Sequence, residues 1–194
     1  MNTEEFVTLF PRWGTLFSAD LHAHFWPMPE EISRFLASEA VVENAQGPVP
    51  AVSAPAETSE TVSAEEAAAD ELSRLKAAAA AGQPKAQHYL AALYSTGTGG
   101  VEQNWPEAIA LYHKAATQGL AIAQNNLGFL YATGQGVAVD PMQSFMWFQL
   151  AYQGGYQEAG PNLELLAKHL TDEQRQQAET MAMQQLARQQ AAIK

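Results

Sequence analysis

The sequence predicts an all-α protein, a right-handed superhelical solenoid of antiparallel helix pairs preceded by an irregular N-terminal segment. Three observations carry that expectation. A pattern of small, apolar and glycine positions occurs twice, from Lys85 to Gly119 and again from Ile122 to Gly155. Ala86, Gln87, Leu90, Leu93 and Tyr94 return 37 residues later as Ala123, Gln124, Leu127, Leu130 and Tyr131. One residue then drops out of the first loop, and an offset of 36 pairs Asn104 with Asp140, Tyr112 with Phe148 and Gly119 with Gly155. A period of that length signals stacked helical hairpins, here about six array helices. Second, the apolar positions inside each copy recur at helical spacing. Third, each helix is bracketed by residues that start or stop helices for physical reasons: side-chain caps at Asn104 and Asp140, Pro141 in a first turn, glycines at the ends.

Residues 1-46 form an acidic segment rich in aromatics. Seven of the 18 aromatic residues lie between Phe6 and Phe35. Disordered chains are poor in such residues, so this segment is expected to pack on something, either as an intramolecular cap or as a docking peptide. Within it, Ile32, Phe35 and Leu36 fall at helical spacing in a short amphipathic stretch from Glu30 to Val42. Residues 47-62, rich in proline, alanine and serine, have no periodicity and read as an extended linker. The array is expected over 63-194, beginning with a half-repeat at 63-82. Ser63 and Glu66 suit a capping box there, and Leu72, Leu75, Ala78 and Ala79 occupy the second-helix positions.

Repeats 84-119 and 121-155 follow. In each first helix Ala86, Leu90, Leu93 and Tyr94, or Ala123, Leu127, Leu130 and Tyr131, share one face. In each second helix Ile109, Tyr112, Ala115 and Ala116, or Phe145, Phe148, Ala151 and Tyr152, are expected to be buried. The helical spacing of Trp147, Phe148 and Tyr152 points to core packing in place of an aromatic ligand box. Capping helices are expected over 158-190. Pro161 delays the first of them, Thr171 and Gln174 form a second capping box, and Ala178, Met181, Ala182 and Leu186 make the apolar side of the last helix. Its remaining residues, Gln189 among them, are expected to be solvated.

The two copies resemble Sel1-like repeats, relatives of the tetratricopeptide repeat. The resemblance rests on Ala123, Gln124, Leu127, Gly128, Tyr131, Gly134, Gly136, Asp140, Trp147 and Gly155 in register. The first copy departs from that pattern at Ala91, Asn104 and Leu111. Tetratricopeptide-like arrays line a concave groove with the outward positions of each first helix. By register these are Lys85, His88, Ala92 and Ser95, then Ile122, Asn125, Phe129 and Ala132, then Leu165 and Lys168. Phe129 is the expected apolar anchor, and the cations Lys85 and Lys168 with His88 suit an acidic or C-terminal ligand.

Composition narrows the function further. The net charge is −11, and residues 1-71 account for all of it with thirteen acids against Arg12 and Arg34. The rest of the chain is balanced, which excludes the basic surface that nucleic acid binding needs. No stretch approaches the ~20 apolar residues of a membrane span. The absence of cysteine removes disulfides and thiolate metal sites, and the N-terminus lacks the basic and apolar regions of a signal peptide, so a cytoplasmic protein is expected. Asp20-Leu21-His22-Ala23-His24 is similar to the His-x-His signature of metal-dependent amidohydrolases, but the barrel and later ligands of that family have no counterpart here. Gly97 to Gly100 follows a helix and so does not form a phosphate loop. No catalytic group, metal or other cofactor is therefore expected. A protein-protein interaction scaffold or adaptor binding a partner protein or peptide is the leading reading. A dedicated inhibitor, chaperone or immunity-type protein for one cognate partner is the alternative, and a hydrolase using His22 and His24 ranks last.

Overall fold

The computed structural model describes Ile32, Arg34, Phe35 and residues 64-192. The array opens with α1 (Ala64–Ala80), α2 (Pro84–Thr96), α3 (Trp105–Thr117) and α4 (Ala121–Thr133). It continues through α5 (Pro141–Gln153), a 3-10 turn at Gln157–Ala159, α6 (Gly160–His169) and α7 (Asp172–Ala192). The seven α-helices among the described residues are the half-repeat helix, the two helix pairs of the repeats and two C-terminal capping helices. Successive helices from α1 to α6 pack on one another and form the stacked right-handed solenoid of antiparallel pairs. The His22 and His24 pair, the 47-62 linker and the Ser63 cap lie outside the described residues.

Local chemistry sets the helix ends. Gly97 closes α2 with φ +70° and its N–H on the Leu93 carbonyl, and Gly134 closes α4 with φ +75° and its N–H on Leu130. The Asn104 side chain accepts from the Glu107 N–H at 3.2 Å, whereas one Asp140 carboxylate oxygen accepts from both Met142 and Gln143 at 3.0 Å. Thr171 and Gln174 cap each other reciprocally, at 3.2 and 3.0 Å.

Two side-chain devices bind one repeat to the next. The Gln87 amide donates to the Ala79 carbonyl at 3.2 Å, and 37 residues on Gln124 donates to Ala116 at 3.1 Å. In each case a buried glutamine of a first helix adds a side-chain donor to a last-turn carbonyl of the preceding helix, which also accepts the N–H of the glycine after that helix, Gly82 or Gly119. The second device is close approach. A Cβ on Gly128 would lie 2.8 Å from the Phe148 ring, and the Ser144 hydroxyl donates to the Gly128 carbonyl at 2.6 Å. The first repeat has Ala91 and Ala108 at the matching positions, both fully buried, so only the second repeat uses the glycine contact.

The core divides in two. One cluster runs through α1 to α5 around Leu75, Leu90, Tyr112, Leu127 and Trp147 and takes in Ile32 and Phe35. The other, around Phe129, Phe145, Phe148, Leu166 and Ala178, closes the C-terminal end.

Three expectations about burial need correction. Tyr152 is 43% exposed, and its ring lies close enough to Gly160 that a Cβ there would stand 3.3 Å from it. Leu186 is also exposed, while Gln189 is buried and donates to the Ala116 carbonyl at 3.0 Å, 73 residues away. Both changes in α7 have one cause. Its main packing partner is α5 instead of its sequence neighbour α6, so it returns across the second helices of the array as far as α3. Its buried stripe is Ala178, Ala182 and Gln189, which turns Leu186 outward.

Candidate functional site

The outward positions of the first helices were the candidate surface, and the structure distributes them unevenly. Lys85 on α2 and Lys168 on α6 are exposed, and Ile122 on α4 and Leu165 on α6 are half-buried. His88, Ala92 and Ser95 of α2 and Asn125, Phe129 and Ala132 of α4 are all buried. The stacking of the two repeats brings these six into matching places on neighbouring first helices, with the lysines at either end of the series.

Phe129 departs most from expectation. Chosen as an anchor outside the repeat core, it is 7% exposed and belongs to the C-terminal core cluster. Phenylalanine can enter that cluster because α6 brings Leu163, Leu165 and Leu166 to the same end. Its removal would open the core, so its charge-substituted variant is unsuitable as a surface probe.

The polar members of the series are close to neutral. His88 is 2% exposed and sits between the rings of Tyr89 and Tyr112, at centroid distances of 5.5 and 5.7 Å. Burial lowers its pKa to about 4, so the imidazole is uncharged at neutral pH. Neither of its ring nitrogens has a hydrogen-bond partner, nor does either amide atom of Asn125. The Tyr112 hydroxyl faces Ser95 and Asn126, and burial raises its pKa well above the usual phenol range against the opposing pull of those two side chains. The Ser95 hydroxyl donates to the Ala92 carbonyl at 2.7 Å, so it is tied to its own helix.

A second aromatic group forms where the repeats meet. His113 Nε2 lies 3.1 Å from the Tyr131 hydroxyl, and its ring stands edge-on to Trp147 at 5.7 Å. Burial lowers the His113 pKa as well. Among the described residues no group of three histidines or carboxylates could hold a metal ion. What the series leaves accessible is the half-buried Ile122 and Leu165 and the exposed Lys85 and Lys168, that is, apolar contact flanked by cations.

A cavity of about 250 Å³ escaped the sequence reading. It opens between α1 and the loop after α2 and is lined by Leu72, Leu75, Leu93, Thr98 and Ile32. The helical spacing of Ile32 and Phe35 was the signal that pointed toward it. Phe35 meets Tyr89 edge-on at 5.5 Å, which fixes this short stretch against α1 and α2.

Comparison with known proteins agrees with this architecture. The family model described as Sel1 repeat matches residues 84–120 and 121–156. No curated protein matches the sequence. Among solved structures, the chain is similar to c5321, a protective antigen present in uropathogenic Escherichia coli strains and displaying an SLR fold, with 34% identity and a TM-score of 0.60. That likeness covers 65% of this chain and 27% of the antigen, so the chain spans about a quarter of that protein's length. It is also similar to a Sel1 repeat protein from Oxalobacter formigenes, with 30% identity over 57% of this chain and 98% of that one, at a TM-score of 0.46. No described helix is long and apolar enough to cross a membrane.

Proposed function

The chain belongs to the Sel1 repeat proteins, whose arrays serve as protein-protein interaction scaffolds, and from that premise we propose that it holds one partner polypeptide on the first-helix face. The observation that carries this reading is the repetition of the same outward positions on α2 and α4, with cations at both ends. A stacked array presents such a face as one continuous strip. Lys85 and Lys168 lie exposed at its ends, where an extended ligand with acidic side chains or a free carboxylate would meet them. Ile122 and Leu165, half-buried between them, supply apolar contact that is still within reach of a ligand.

The test uses the full chain and its Lys85→Glu/Lys168→Glu variant as baits in the source lysate. Both lysines are exposed, so far-UV circular dichroism should not change. The expected result is at least a tenfold loss of one stoichiometric partner with the double variant. Equal capture by both baits would reject the first-helix face as the binding surface.

A further inference from the structure

We infer that the cavity between α1 and the loop after α2 takes a tryptophan side chain presented by a partner polypeptide. This rests on the reading of the chain as the holder of one partner and adds a contact point at the N-terminal end of the array. Three observations lead to it. The first is what fills the same place one repeat later. Counted 37 residues forward, Ala68, Leu72 and Leu93 of the cavity lining become Trp105, Ile109 and Leu130. There the loop after α4 rests directly on an indole. A Cβ on Gly136 would stand 2.9 Å from the Trp105 Cβ, 3.1 Å from its ring and 2.8 Å from Ile109. At the cavity Gly99 takes the place of Gly136, and the nearest atoms to a Cβ on it belong to Leu93 instead. The exposed Ala68 thus stands where the next repeat has an indole, and Leu93 is half-buried whereas Leu130 is 3% exposed.

Second, the loop differs at the same point. It has one residue more than the loop after α4, and a Cβ on Gly100 would lie 3.6 Å from Leu72, an ordinary contact distance without the tight approach that Gly136 makes to Ile109. Third, size and chemistry suit one ring system. The cavity measures about 250 Å³, below the roughly 300–1,000 Å³ of drug-sized sites. Ile32, Leu72, Leu75 and Leu93 supply apolar walls, and Glu71 and Thr98 supply oxygen acceptors for an indole N–H. α1 carries Glu65, Glu66, Asp70 and Glu71 against Arg74 and Lys76. That surplus disfavours an aromatic carboxylate, so the ring belongs to a residue within a chain, where the flanking amides are neutral.

The experiment titrates the full chain, carrying ¹³C-labelled leucine and isoleucine methyls, with N-acetyltryptophanamide. Burying roughly 200 Å² of ring corresponds to a dissociation constant on the order of 1 mM. The expected result is saturable shifts of the Ile32, Leu72, Leu75 and Leu93 methyls in that range. No saturable shift of these methyls at tenfold that concentration would overturn the inference. Equal binding by N-acetylleucinamide, which has no ring, would overturn it too. Tighter binding by N-acetyltryptophan would reject the polypeptide occupant in favour of a free aromatic acid. Ala68→Trp supplies the ring from α1 itself and should weaken binding at least tenfold, and unchanged affinity in that variant, with unchanged circular dichroism, also counts against the site. If Ala68→Trp does not fold, the three titrations of the unaltered chain decide alone. A failed titration, with the partner still lost in Lys85→Glu/Lys168→Glu, would reject the cavity and leave the first-helix face standing.

Discussion

At the residue scale, Gln124 shows why a polar side chain recurs inside an apolar repeat. Its amide reaches the Ala116 carbonyl, which also receives Gln189, and it is 2% exposed. Gln124→Leu keeps the bulk and removes the donor. It should cost about 1 kcal/mol in urea unfolding, since Gln189 still serves the carbonyl. Gln124→Leu combined with Gln189→Leu removes both side-chain donors, leaving that buried oxygen only the Gly119 N–H at 3.0 Å, and should cost more than the two single changes together. Strict additivity in the double-mutant cycle would show that the carbonyl is not shared. His88 gives a prediction in pH. Its folded pKa of about 4 lies below the usual value of 6.5, so between those values the unfolded chain binds more protons than the folded one. Stability should therefore fall as pH drops from 6.5 toward 4 and be insensitive to this group above 6.5. A shift of that size corresponds to roughly 3 kcal/mol at full development. His88→Gln should flatten this slope in urea melts at pH 5 and pH 7, and an unchanged slope would assign the acid sensitivity to the carboxylates.

At the scale of elements, Gly128 decides how closely α4 and α5 approach. Gly128→Ala introduces a Cβ 2.8 Å from the Phe148 ring, and the ring is fully buried with no room to retreat. The variant should lose about 1–3 kcal/mol in thermal or urea unfolding, as overpacked cores do. The matching site in the first repeat is already alanine, so Ala91→Gly should cost only the helix penalty of about 1 kcal/mol. This asymmetry was legible in the sequence, because Gly128 and Ala91 break an otherwise matched pattern. The caps at Asn104, Asp140 and Thr171 were legible for the same reason: a cap is formed by residues within four positions of one another. The course of α7 was not. Its buried positions are Ala178, Ala182 and Gln189, and two alanines with a glutamine carry almost no periodic hydrophobic signal. The burial of His88, Asn125 and Phe129 was illegible too. Register says which way a side chain leaves its helix, whereas burial depends on what else packs there.

At the scale of the whole molecule, α7 changes how the array should come apart. A plain stack of repeats joins only neighbours, so its ends can open independently. Here α7 packs along α5 and fixes its far end to the α3 carbonyl at Ala116, which ties the last helix to the first full repeat. Unfolding should then be a single transition. Trp147 reports on it directly, because it is buried in α5 with His113 of α3 against its ring. In a background carrying Trp13→Phe, Trp26→Phe and Trp105→Phe, Trp147 emission and far-UV circular dichroism should lose signal at the same urea concentration. Ala182→Glu places a charge at a position that is 1% exposed and should lift α7 away. The neighbouring Met183→Glu, at a position 63% exposed, is its control and should be neutral within about 0.5 kcal/mol. With α7 displaced, the C-terminal cluster loses Ala178, and α5 should open before α1 to α3 do. The Trp147 midpoint would then fall below the dichroism midpoint in Ala182→Glu alone. Coincident midpoints in both variants would mean that the stacked repeats are cooperative without α7, and that its return across the array contributes stability but not coupling.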